Sequence, residues 1–223
     1  MLKRLGLLCA SLCFAAIAHA ADPASASPAA PEPTWEAGKN YFLIDPPQPT
    51  ASGDKVEVLE IFSYACPHCA HFQSFAEKIK QSLPAYATFD YMPAIFSPMW
   101  EPFARAYYAA QSLGVLGQTH QALYDAIHRD HLPLRTLDDL AGFYEQHGVD
   151  RAKFLSAASS FETESQLSRA REIVKGDHVD GTPSIVVNGK YRITGDSAGS
   201  YAQILDLVNY LVKKEHDAAA TKK

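Results

Sequence analysis

Residues 58–72 read VLEIFSYACPHCAHF. The run that leads into them, 56–63 (VEVLEIFS), is rich in β-formers and nearly continuously apolar, the pattern of a strand covered on both faces. From Cys69 onward the apolar residues recur at spacings of three and four. Cys69, Phe72, Ala76, Ile79 and Leu83 form one buried face of a helix. Pro67 suits the first turn of that helix, where a missing N–H costs nothing, and Pro84 marks its stop. A strand therefore hands over to a helix at Cys66-Pro67-His68-Cys69.

Working outward, residues 86–92 (YATFDYM) alternate like a second strand. From Ser97 to Gly176 the pattern is helical, with helices expected over 99–112, 117–129, 136–147, 150–158 and 161–175. Thr136 and Asp139 resemble a capping box, Gly148 closes that helix and Asp150 caps the next. After Gly181-Thr182-Pro183 comes a strand over 184–188, the hairpin signal Asn188-Gly189 and a strand over 190–194. A last amphipathic helix uses Tyr201, Ile204, Leu205, Val208, Leu211 and Val212, with Lys213 and Lys214 complementing its C-terminal dipole. The order is strand, helix, strand, helical block, strand, strand, helix. With a right-handed crossover this makes an α/β fold, a mixed sheet covered by helices and similar to the thioredoxin outline with an inserted helical domain.

The N-terminus carries Lys3 and Arg4, an apolar run from Leu5 to Ile17, then Ala18-His19-Ala20. This reads as a cleaved signal peptide over 1–20; the apolar run is shorter than the ~20 residues that a spanning helix needs. Residues 21–34, rich in Pro, Ala and Ser, read as a flexible linker. The remaining boundaries fall at 35–96 and 178–214 for the two parts of the sheet unit, and 97–177 for the helical insertion. The tail 215–223 is expected to fray. The net charge is −5 and the basic residues do not cluster, so there is no electrostatic footprint for nucleic acid.

Cys9 and Cys13 fall in the leader, which leaves Cys66 and Cys69 in the exported chain. Two cysteines three apart close almost no loop, so as a staple they stabilise little, and chemistry must explain them. At a helix start, unpaired N–H groups carry partial positive charge and favour a thiolate. Each unit by which the thiolate pKa lies below ambient pH stabilises the reduced form by about 1.4 kcal/mol. For a two-electron couple that is roughly 30 mV more oxidising. Cys66, at an exposed helix tip, is then the sulfur that substrate thiolates attack; Cys69, on the buried stripe, is the resolving partner. A zinc site is the bland alternative, but a structural site usually needs four ligands and only one pair exists. His128 and His131 are expected to be solvated, because Pro133 interrupts a helix that would align them; Tyr107, Tyr108, Tyr124 and Tyr144 read as core or rim.

Two further candidates stand outside the motif. Glu60 lies within the apolar strand, where burial raises a carboxyl pKa and fits it to exchange a proton with Cys69. Thr182-Pro183, after Gly181 and before a strand, fits a tight turn.

The segments 58–72 and 181–193 (GTPSIVVNGKYRI) resemble the active-site and cis-proline segments of the DsbA family of periplasmic thiol:disulfide interchange proteins. The resemblance reaches from about Trp35 to Lys214. It implies a monomeric dithiol oxidase in the periplasm that needs no cofactor beyond its redox-active Cys66–Cys69 disulfide. Its partners would be unfolded exported proteins and a DsbB-like membrane reoxidase. It makes Cys66 the nucleophile, Cys69 the resolving cysteine, His68 a stabiliser of the thiolate and Glu60 the buried acid. Thr182 and Pro183 become a cis-proline loop that pairs with substrate backbone. In this family the link between a low thiolate pKa and oxidising strength is already established. Two features depart from the pattern. Residues 86–92 hold no Lys to pair with Glu60, and Thr182 stands where the best-known members have Val. The alternatives are a disulfide isomerase or reductase of the DsbC kind, or a non-enzymatic chaperone or metal-binding module.

Overall fold

The structure, a computed structural model, describes residues 34–221. The expected signal peptide and the linker, Thr34 excepted, lie outside the described residues.

The apolar run forms strand β2 (Val56–Phe62), an interior strand of the sheet with both of its faces covered. It pairs in parallel with β3 (Ala87–Pro93) and antiparallel with β4 (Ser184–Val187). Strand β5 (Tyr191–Thr194) joins β4 through Asn188-Gly189, where both residues have positive φ (55° and 60°), as the primed hairpin turns require. Gly189 is needed for a second reason: a Cβ there would stand 2.2 Å from the Gln48 carbonyl oxygen. The fifth strand, β1 (Phe42–Leu43), pairs with β5, giving the order β1-β5-β4-β2-β3 among the described residues. Two residues are too short a run to show an alternating pattern, and for that reason β1 was not expected.

Helix α1 (Pro67–Ser82) and the last helix, α7 (Tyr201–Ala220), cover one face of the sheet. Side chains alternate along β2, so Val58, Glu60 and Phe62 face that side and Leu59 and Ile61 face the other. Between β3 and β4 lie α2 (Glu101–Ser112), α3 (Leu116–His128), α4 (Leu137–Gln146), α5 (Arg151–Ala158) and α6 (Phe161–Gly176). A short 3₁₀ turn, Pro98–Trp100, leads into them. Thr136 and Asp139 complete the expected capping box, and the Asp150 side chain accepts from the Lys153 N–H. Tyr107, Tyr108, Tyr124 and Tyr144 all lie in the core of this block.

The tail corrects an expectation. Rather than fraying from 215, α7 continues to Ala220. Glu215 is buried and accepts hydrogen bonds from the Asn188 side-chain amide (2.7 Å) and the Tyr191 hydroxyl (2.8 Å), and it pairs with Lys190. The charged tail composition hid this, because the partners sit on a hairpin some 25 residues earlier.

Candidate active site

Strand β2 ends in a tight turn. The Cys66 N–H donates to the Ser63 carbonyl (3.0 Å), and the Ala65 N–H donates to the Ser63 hydroxyl (3.2 Å). Cys66 is thereby the N-cap of α1, in extended conformation (φ −92°, ψ 116°), with Pro67 in the first turn. Its sulfur faces the helix N–H groups that have no partner within the helix. The thiol is pushed down to about 5, first by a hydrogen bond from the Cys69 thiol, against the opposing effect of burial. The backbone N–H groups of Cys69 and His68 lower it further. Both cysteines are free thiols.

The two sulfurs differ as the sequence suggests, but with less contrast in exposure. Cys69 is fully buried, and its pKa is driven far above that of an ordinary thiol by burial and by the neighbouring Cys66 and Glu60. Cys66 is only 6% exposed, which corrects the expectation of an exposed helix tip. Its covering is the loop after α6. There the Thr182–Pro183 peptide is cis, and the Thr182 carbonyl accepts from the Cys66 thiol at 3.4 Å.

Glu60 is wholly buried on β2, opposite Tyr91 on β3 and Ile185 on β4. Neither carboxyl oxygen has a hydrogen-bond partner. Burial, then Glu77 and Cys66, push its pKa up to about 8. Beside the thiol lies a groove of about 180 Å³ lined by His68, Thr182, Pro183 and Tyr201. Pro67 and His68 are exposed at its edge, and what His68 gives Cys66 is its backbone N–H. Among the described residues no group of three or more His, Cys, Asp or Glu side chains is placed to hold a metal ion.

A family model described as a DSBA-like thioredoxin domain matches residues 57–206. The chain belongs to the DsbA-like thioredoxin family. The thiol:disulfide interchange protein DsbA of Pseudomonas aeruginosa is 38% identical over 185 residues, covering 83% of this chain and 88% of that protein. The DsbA of Azotobacter vinelandii is 35% identical over 181 residues, 81% of this chain and 85% of the relative. A crystal structure of Pseudomonas aeruginosa DsbA aligns with a TM-score of 0.79 at 38% identity, over 85% of this chain and 97% of that one.

Within this DsbA-like frame, sequence reading missed how the turn before Cys66 is held. Tyr64, fully buried between Ser63 and Cys66, sends both of its oxygens to α3. Its hydroxyl lies 2.7 Å from His120 Nδ1, and its carbonyl accepts from His128 Nε2 at 2.7 Å. His128 is therefore half-buried and bonded rather than solvated, because α3 runs as far as His128 before Pro133 can interrupt it. The signal was present as one helical stripe, His120, Tyr124 and His128, at spacings of four.

Proposed function

We propose that the chain donates its Cys66–Cys69 disulfide to the thiols of newly exported proteins in the periplasm, through a mixed disulfide on Cys66. Family membership supports the class of reaction, thiol:disulfide exchange. One observation carries the assignment of roles: the two thiols are driven in opposite directions, Cys66 down to about 5 and Cys69 far up.

The reaction follows from that asymmetry. A substrate thiolate attacks Cys66 Sγ, a new S–S bond forms, the Cys66–Cys69 bond breaks and Cys69 leaves as a thiolate. Cys69 is too buried to stay anionic, so it takes a proton. Glu60, whose carboxyl titrates near 8 and so is protonated at neutral pH, is the group we assign to supply it. A second substrate thiolate then attacks its own sulfur in the mixed disulfide. Cys66 leaves as a stabilised thiolate, which makes this step fast and the overall transfer favourable. Two electrons pass from the substrate dithiol to the protein, and a membrane reoxidase of the DsbB type would remove them.

Thr182 and Pro183 are assigned to substrate binding. The groove beside them fits an extended peptide, whose backbone would pair along Thr182. His68 contributes the N–H that faces the sulfur. Residues 86–92, along the strand next to Glu60, hold no Lys, which supports a carboxyl that stays protonated and ready to donate. We read 35–96 and 178–214 as one thioredoxin-like unit, 97–177 as its insertion and the working form as a monomer.

Trapping tests the assignment. In a periplasmic extract, Cys69→Ala is expected to accumulate mixed disulfides on Cys66, seen as reducible adducts on non-reducing gels, while Cys66→Ser forms none and loses dithiol oxidation. Adducts on the Cys66→Ser variant, or none on Cys69→Ala, would overturn the roles. A potential near that of thioredoxin would favour the isomerase or reductase alternative.

A further inference from the structure

Helix α3 grips the turn that carries the nucleophile from two sides. Ser63–Cys66 is closed by one backbone hydrogen bond, and its central residue Tyr64 is fully buried. A carbonyl oxygen only accepts, so His128 Nε2 carries the proton that bonds Tyr64 O. Eight residues earlier on the same helix, His120 Nδ1 meets the Tyr64 hydroxyl. His120 is itself only 8% exposed and is walled by the rings of Phe62, Tyr91 and Tyr124 at 4.6–5.4 Å. Its other nitrogen, Nε2, has no partner, so the Tyr64 hydroxyl is the one hydrogen-bonding contact that fixes the ring. One residue therefore receives both contacts, and it sits two positions before Cys66.

We propose that His120 and His128 are positioning residues, which through Tyr64 fix the Ser63–Cys66 turn and so hold Cys66 Sγ against the N-terminus of α1. The helical insertion would thus act on the reaction, setting how strongly the protein oxidises. The physical reason is the steep geometry of the interaction. The helix-end N–H groups act only within about one turn and along the axis, so a sulfur shifted sideways loses most of their effect. The turn has few means of its own to resist such a shift. Apart from the Ala65 N–H bond to the Ser63 hydroxyl, neither central residue, Tyr64 or Ala65, makes a backbone–backbone bond among the turn and loop hydrogen bonds. The inference rests on Cys66 being the nucleophilic thiolate, as assigned above.

The test uses the full mature protein in four variants: Tyr64→Phe, which removes only the hydroxyl; His128→Leu, which removes the donor; His128→Gln, which restores an N–H donor; and Tyr64→Phe combined with His128→Leu. Thiolate absorbance gives the Cys66 pKa, equilibration with glutathione gives the redox constant, and thermal unfolding monitors structure. Each single loss is expected to raise the thiolate pKa by about one unit and to make the protein about tenfold less oxidising. His128→Gln should return both towards the parent. Tyr64→Phe keeps the ring and the aromatic packing, so it gives a reading even if His128→Leu fails to fold. If Tyr64→Phe and the folded His128 variants lower only the melting temperature, leaving the pKa and redox constant within twofold of the parent, the inference is overturned. If the parent thiol itself titrates near the ordinary value, the assignment of Cys66 falls instead, so the two failures are distinct.

Discussion

At the scale of single residues, burial and partners set different protonation states on groups that the chain places close together: Cys66 is held as an anion, Glu60 and Cys69 as neutral acids. Cys66 gains its low pKa from donors, while Glu60 and Cys69 are raised chiefly by burial. Each shift ties stability to pH with a definite sign. For Cys66 the folded value lies below the ordinary 9, so its contribution is complete above 9 and is lost as pH falls through 5. The reduced parent should therefore gain stability over reduced Cys66→Ser as pH rises from 5 towards 9, as read from denaturant midpoints across that range. Glu60 has the opposite sign. Its folded value lies above the ordinary 4.5, so its contribution is complete below 4.5 and is lost as pH rises through about 8. Glu60→Gln should consequently become more stable relative to the parent from pH 5 to pH 8, as read from denaturant midpoints across that range. The same variant should slow the release of reduced protein in single turnovers, because Cys69 then lacks its nearby proton. A Glu60→Gln difference that stays flat with pH would mean the carboxyl is ionised throughout.

At the scale of elements, the hairpin and the last helix hold each other through one carboxylate. Burial works to raise the pKa of Glu215, but hydrogen bonds from Lys190, Asn188 and Tyr191 outweigh it and keep the pKa below the usual carboxylate range. Removing residues 215–223 leaves those three donors on β4–β5 without their acceptor. Lys190 is partly exposed and can turn to water, so the loss should be about 2 kcal/mol rather than that of a fully buried pair. That corresponds to a fall of about 4–8 °C in melting temperature for a chain of this size. Differential scanning calorimetry of the truncated and full chains measures it, and an unchanged Tm would show that the last turns of α7 do no holding. The elements themselves were legible where the signal was local. Pro67 and Pro84 bracket α1, Thr136 and Asp139 start α4, and Asn188-Gly189 turns the hairpin. Strand β1 and the end of α7 were not legible, because their reasons to exist are β5 and the hairpin, which lie far away in sequence.

For the molecule as a whole, β2 is the hinge between two cores. Val58 packs with α1 and α7, while Phe62, four residues on, enters the aromatic cluster of the helical block. Phe62 meets Tyr64, Tyr107 and His120 edge-on at 5.2–5.4 Å. Phe62→Ala should cost about 3–5 kcal/mol. It should lower near-UV and far-UV unfolding midpoints together, since both cores share that strand; separate midpoints would show that the insertion unfolds independently. The chain by itself determined the strand-to-helix junction, the cysteine pair, the helical block and the buried acid, because local periodicity and a compact motif encode each of them. Only the tertiary structure decided that Cys66 is covered by Thr182 and that Tyr64 is held by two histidines of α3. Those contacts join residues 56 to 116 positions apart, and no short-range pattern records a distance closed by folding.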